Sequence, residues 1–214
     1  MGEKINSTCY IFGGYIEEFS SEIVKSIVEE DFVICADKGI LSAQKYGIKP
    51  NLIIGDFDSF KGVVPNNSDV IKLPKEKDDT DLHYAAKKAV EMGFKKVVLS
   101  GVTGGRTDMT LATIGTLCFL DKSGINASVM DNSLQLYITH NSLILNKPPF
   151  DVHLSVFPVG DRAEGVSISG AYYSANNLTL LPSFPIGVSN SFLEESVNIS
   201  IKEGTIIVLL VKKD

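Results

Sequence analysis

The 214-residue chain has only three cysteines, Cys9, Cys35 and Cys118, and no two of them stand at a metal-ligand spacing. Each sits in an apolar stretch, so the expectation is buried, reduced thiols rather than a disulfide framework or a redox pair. Positive charge is also short. Twenty lysines and arginines against 26 aspartates and glutamates leave a formal net charge of −6. That deficit argues against nucleic acid or an anionic membrane as a main partner. No basic stretch followed by an apolar run opens the sequence, so no secretion signal is read there. The long uncharged stretch 166–193 is broken throughout by Ser, Asn, Gly and Pro, which does not suit a membrane span. The expected location is the cytoplasm.

What is present suits an ordinary folded protein: 44% apolar and 21% charged residues are enough for a sizeable core without staples. Short apolar runs at 8–12, 32–36, 52–55, 70–73, 96–100 and 127–130 read as buried strands. Apolar residues at helical spacing over 19–29, 40–46, 82–92 and 111–120 read as the helices between them. Continuous apolar strands alternating with helices predict an α/β unit with a mainly parallel sheet and helices on both faces. After about Asn132 the pattern changes to short alternating or β-branched runs at 134–139, 142–145, 153–159, 166–168, 178–181, 196–201 and 205–211. Turn residues such as Gly160-Asp161 separate them, predicting a C-terminal all-β domain, a small sandwich or a partly open barrel. The expected domains are 1–142 and 143–214.

In open parallel sheets, ligands bind at the carboxyl ends of strands, and four polar clusters fall there. Gly55-Asp56-Phe57-Asp58-Ser59 places two carboxylates at i and i+2 on one side of an extended run. Such a pair suits Mg²⁺, which takes a few hard oxygens and keeps positions for water and phosphate; a plain turn is the alternative. Lys77-Asp78-Asp79-Thr80-Asp81 leads into a helix, so Asp78 and Asp81 face alike or serve as a cap. Gly104-Gly105-Arg106-Thr107-Asp108 joins a strand to a helix. There glycines admit a ligand and Arg106 is a planar donor for phosphate oxygens, although the ending of a Walker A loop is missing. Ala36-Asp37-Lys38-Gly39 is the fourth. So many carboxylates at one edge imply a cation among them, and with it a phosphorylated nucleotide.

Taken in order, Ala36-Asp37-Lys38-Gly39, the 50–59 segment ending in Gly55-Asp56-Phe57-Asp58-Ser59, Lys77-Asp78-Asp79-Thr80-Asp81 and Gly104-Gly105-Arg106-Thr107-Asp108 resemble the thiamine pyrophosphokinase (thiamine diphosphokinase) family. The resemblance spans nearly the whole chain. It implies an α/β catalytic domain followed by a β-sandwich, working as a homodimer with the active site between subunits. It implies transfer of diphosphate from ATP to the hydroxyl of thiamine, releasing AMP. It also implies Mg²⁺ at Asp56, Asp58 and Asp81, with Arg106 on the phosphates and Asp37, Lys38, Asp78, Thr80, Gly104, Gly105 and Asp108 close by. On the acceptor side it implies thiamine contacts from Tyr173, Ser189 and Asn190.

Three departures stand out. Tyr173 replaces the family's Trp, Met109 its usual His, and Lys38 a Gly, where a lysine either meets phosphate or points to solvent. The alternatives weighed against this reading are a Mg²⁺-dependent phosphohydrolase and a non-catalytic thiamine or nucleotide sensor.

Overall fold

Six parallel strands carry the first part of the chain. In the computed structural model, which describes residues 5–56, 68–74, 76 and 78–213, they are β1 (Ile5–Phe12), β2 (Phe32–Ala36), β3 (Leu52–Gly55), β4 (Asp69–Lys72), β5 (Phe94–Ser100) and β6 (Asn126–Met130). They lie in the order β4-β3-β2-β1-β5-β6, and every adjacent pair is parallel. The order reverses at β1, between β2 and β5, so the crevice at that switch point is where a ligand is expected.

Among the described residues, four helices connect these strands: α1 (Ser21–Ser26), α2 (Gly39–Lys45), α3 (Asp81–Glu91) and α4 (Thr107–Lys122). Tyr10, Phe12, Val33, Cys35, Ile53 and Val98 form one apolar cluster with Ile23 of α1 and Ile40 and Ala43 of α2. Their strand neighbours Cys9, Ile11, Ile34, Ile54 and Leu99 alternate with them and are fully buried. Strands buried on alternate sides explain the uninterrupted apolar runs in the sequence.

The chain forms two compact units, Met1–Asn132 and Ser133–Asp214. The second unit is built from β7 (Leu134–Thr139), β8 (Ser142–Asn146), β9 (Val152–Ser169), β10 (Ala175–Leu180), β11 (Ser196–Ser200) and β12 (Glu203–Lys212). Its core gathers Leu145, Leu154, Val156, Val166, Val197, Ile199, Ile206 and Val208. β7 lies with this unit, where it pairs antiparallel with β12.

Two expectations change. The runs 153–159 and 166–168 are one 18-residue strand, β9. Gly160 and Gly165 both take positive φ within it, so the strand bends where a turn was expected. Its first part pairs with β12 and its last part with β11 and β10. The helix expected over 19–29 is only Ser21–Ser26. Ser20 caps it by accepting from Glu22 N–H, and Ile27 is already extended.

Candidate active site

The carboxyl ends of β1, β2 and β5, with the starts of α3 and α4, frame a cavity of about 310 Å³ lined by Gly13, Tyr15, Asp37, Lys38, Asp81 and Arg106, among others. Asp37 follows β2 directly. Its backbone N–H continues the β2–β3 ladder by donating to Ile54 O at 2.8 Å, and its φ of 48° is left-handed, a backbone state that costs a non-glycine residue about 1 kcal/mol or more. A Cβ built on Gly55 would lie 3.2 Å from the Asp37 Cα. Glycine therefore lets β3 bring Asp56 close beside Asp37.

Burial raises the Asp37 carboxyl above its ordinary range, and the charges of Asp81 and Asp56 raise it further; the Lys38 backbone N–H and the Lys38 charge oppose them. Asp37 Oδ1 is buried without a hydrogen-bond partner among the described residues. Asp37, at the end of β2, thus feels the carboxylates of Asp81, at the start of α3, and of Asp56, after β3. Phe57, Asp58, Ser59 and Lys77 lie outside the described residues.

The second acidic cluster divides its tasks. Thr80 is the N-cap of α3, its hydroxyl accepting from His83 N–H at 3.1 Å. Asp81, in the first turn, lines the cavity. Asp78 is exposed and does not line it. Asp79 faces Lys87 at 2.7 Å, and the hydrogen bond from that ammonium lowers its carboxyl.

Arg106 is the N-cap residue of α4 and has no side-chain cap of its own. Its guanidinium grips Asp108 through both Nε and Nη2, and the hydrogen bond from Arg106 holds the Asp108 carboxyl low. Asp108 also accepts from Met109 N–H at 3.0 Å. Both side chains are exposed, 69% and 63%, so the pair adds little stability and leaves the guanidinium open to exchange Asp108 for an anion. Gly104 and Gly105 take φ of 85° and 63°, which the turn before α4 requires. Lys38 is exposed at the cavity wall, and Met109 lines it too.

Two residues that the motifs do not announce shape this site. Asp131, 4% exposed at the end of β6, accepts from the backbone N–H groups of Gly101 (2.6 Å), Val102 (3.2 Å) and Thr103 (2.8 Å) and from the Thr103 hydroxyl (2.6 Å). It thereby holds the loop after β5. Burial pushes its carboxyl up to about 6 against those four bonds. Tyr15, beyond Gly13-Gly14 at the end of β1, accepts from Arg106 N–H at 3.0 Å. The strand-end rule that singles out Asp37 applies equally to Asp131, and was the available signal.

Among the described residues, no three His, Cys, Asp or Glu side chains form a group able to hold a metal ion. Mg²⁺ needs only one or two carboxylates beside water and phosphate. A buried, unpartnered carboxylate oxygen flanked by two like charges is the chemistry that such a cation relieves, so the residues present fit it.

In the second unit, Tyr172 and Tyr173 are each 65% exposed and meet edge to face at 5.0 Å. Asn190 is buried. Its amide donates to Tyr173 O at 2.8 Å, while its oxygen accepts from the N–H groups of Tyr173 and Ser191, both at 2.9 Å. Asn190 is thus occupied in holding Tyr173. Ser189 has a φ of 57°, and its N–H donates to the Ser155 hydroxyl at 3.3 Å. Tyr173, Leu178, Ile186, Val188 and Asn190 help line a cavity of about 250 Å³.

The family model described as "Thiamin pyrophosphokinase, catalytic domain" matches residues 24–129, and "Thiamin pyrophosphokinase, vitamin B1 binding domain" matches residues 140–206. The chain is 26% identical to the thiamine pyrophosphokinase of Bacillus subtilis over 188 residues, 85% of this chain and 87% of that one. It is 28% identical to thiamin pyrophosphokinase 1 of Caenorhabditis elegans over 176 residues, 74% and 69%. The crystal structure of the Bacillus subtilis protein superposes with a TM-score of 0.87 at 22% identity, covering 98% of this chain and all of that one. Thiamin pyrophosphokinase from Candida albicans superposes at 0.77 with 12% identity, covering 97% and 90%. At those identities the superpositions speak for the fold alone.

Proposed function

This chain belongs to the thiamin pyrophosphokinase family, and from that premise we propose how its own residues make thiamine diphosphate from thiamine and ATP. The observation that carries the reading is the buried, unpartnered Asp37 oxygen, whose carboxyl is pushed up by burial and by the charges of Asp81 and Asp56. Carboxylates are kept together at such cost where a cation is to be held.

Asp56, Asp58 and Asp81 would hold Mg²⁺, with Asp37 beside them, and a bound ion there would supply neutralisation of the phosphate charge. Arg106, released from Asp108, takes phosphate oxygens as a bidentate donor, and Lys38 supplies a second cation at the cavity wall. Asp108 holds Arg106 until the phosphates arrive, Gly104 and Gly105 let them approach the α4 N-terminus, and Thr80 fixes the start of α3, with Asp78 close by. The thiamine hydroxyl oxygen attacks the β-phosphorus in line. The bond from that phosphorus to the oxygen shared with the α-phosphorus breaks, AMP leaves with the oxygen, and the hydroxyl proton is released to water. Positioning and charge neutralisation supply most of the acceleration in such a displacement.

Tyr173 offers its ring to thiamine's cationic thiazolium or its flat pyrimidine, Ser189 borders it, and Asn190 locks the Tyr173 backbone. We assign nucleotide chemistry to the α/β unit, with α1 and α2 on one face of its sheet and α3 and α4 on the other. Thiamine binding and dimerisation belong to the β-rich unit, a sandwich through which β9 runs. The active site then lies between the subunits of a cytoplasmic homodimer.

The test is incubation with ATP, Mg²⁺ and thiamine, following AMP and thiamine diphosphate by chromatography. Equimolar appearance of both is expected. Phosphate release without thiamine would make the protein a phosphohydrolase, and tight binding without turnover would make it a sensor; either result overturns the reading.

A further inference from the structure

Tyr15 stands on a segment with no assigned role. The strand pairing of β1 with β5 does not stop at Phe12. Gly13 N–H donates to Ser100 O at 2.8 Å and Tyr15 N–H to Gly101 O at 2.9 Å, so the backbone of Gly13–Tyr15 is tied to the loop that Asp131 fixes from the other side. From that anchored backbone, the Tyr15 ring crosses the turn before α4. A Cβ built on Gly105 would meet Tyr15 Cε1 at 2.3 Å, so the ring lies flush on the glycine. Its hydroxyl accepts the Arg106 N–H at 3.0 Å. Arg106 is the N-cap residue of α4 and has no side-chain cap, so Tyr15 is a brace reaching the start of that helix from the segment after β1, 91 residues earlier. The same ring lines the cavity together with Asp37, Lys38 and Asp81.

We propose that Tyr15 is a positioning residue for the ATP phosphates. It fixes the Gly104-Gly105-Arg106 turn so that the α4 N-terminus and the Arg106 guanidinium face the cavity before nucleotide arrives. This rests on the assignment of that turn to phosphate given above. Two contacts do the bracing, and they separate by substitution. Tyr15→Phe keeps the ring on Gly105 and removes the acceptor for Arg106 N–H. Tyr15→Ala removes both and leaves a flexible turn with two left-handed glycines, whose ordering must then come from binding.

The experiment measures affinity for a non-hydrolysable ATP analogue with Mg²⁺ by calorimetric titration, thiamine affinity separately, and steady-state KM for each substrate. Tyr15→Ala is expected to weaken nucleotide binding and raise KM for ATP by about tenfold or more, with thiamine affinity within twofold of wild type. Tyr15→Phe is expected to recover most of that loss. Circular dichroism and thermal unfolding check that both variants are folded; if Tyr15→Ala is not, Tyr15→Leu, which keeps bulk but loses the flat ring and the hydroxyl, takes its place in the titrations and in the cycle below, with the same expected and overturning results. Because a Cβ at Gly105 collides with the Tyr15 ring, Gly105→Ala is expected to harm nucleotide binding less in a Tyr15→Ala background than in wild type. Additive effects of the two substitutions, or Tyr15→Ala binding nucleotide within twofold of wild type, overturn the proposal. Wild-type turnover is the separate control. Its absence counts against the catalytic reading, while the analogue titrations still judge Tyr15.

Discussion

Gly39 is the first residue of α2 and does not have a positive φ, so backbone conformation alone would admit alanine. Helix propensity then predicts a gain of up to about 1 kcal/mol for Gly39→Ala. The surroundings predict the reverse. A Cβ there would lie 1.9 Å from Phe12 O and 2.6 Å from Phe12 C, both backbone atoms of the central strand. No side chain can swing aside, so α2 or β1 must shift by more than about 1 Å to reach ordinary contact. Overpacking of this kind costs typically about 1–3 kcal/mol, and a backbone obstacle belongs at the upper end. Net destabilisation of about 2 kcal/mol follows, a fall in Tm of roughly 4–8 °C for a chain of this size. Asp37 and Lys38 immediately precede the helix, so the same shift moves the carboxylate cluster, and turnover is expected to fall about tenfold or more. Urea unfolding followed by far-UV circular dichroism, with an assay of AMP release below the transition, measures both. A variant as stable as wild type, or more so, would refute the close approach and leave propensity as the only term.

Asp56→Asn is expected to lower kcat by at least about a hundredfold with an unchanged melting temperature, and full activity would remove Asp56 from the metal set. For Asp131, a folded carboxyl raised to about 6 from an ordinary 3.8 holds a proton that the unfolded chain has released. Its contribution to stability is therefore full below about pH 4 and lost as pH rises through about 6, by at most about 3 kcal/mol. The stability difference between wild type and Asp131→Asn should shrink across that window; a difference that widens would show that the four hydrogen bonds outweigh burial. Cys9 and Cys35 are fully buried, and burial pushes both thiols far up. Neither should be alkylated by iodoacetamide at pH 8 until denaturant is added, and rapid labelling of the native protein would contradict the placement of β1 and β2 in the core.

Much of the α/β unit was legible because its strands are buried on alternate sides and read as unbroken apolar runs. Three of the four acidic or glycine-rich clusters keep described residues at the cavity wall, since strand ends in a parallel sheet converge by construction. What escaped depends on distant partners. Asp131 looks like an ordinary residue after a strand until Gly101, Val102 and Thr103, almost 30 positions earlier, turn their donors toward it. Asp78 and Asp81 read as a matched pair, yet Thr80 takes the cap and only Asp81 lines the cavity. The division of β9 into two strands failed for a local reason. Gly160-Asp161 has turn chemistry, but cross-strand hydrogen bonds to β12 and then β11 keep the segment extended through its bends.

The position of β1 between β2 and β5 also bears on how the unit comes to be folded. Phe12 lies opposite Ser100 and Ile5 opposite Phe94, so completing the central strand closes a loop of nearly 90 residues. The entropy of that closure is spent before the contact returns anything, which places this step among the slow ones in folding. Until β5 docks, one edge of β1 offers unpaired N–H and C=O groups beside apolar side chains, a template for joining other chains. A fragment ending before Phe94 should therefore aggregate rather than form a smaller, stable version of the nucleotide unit.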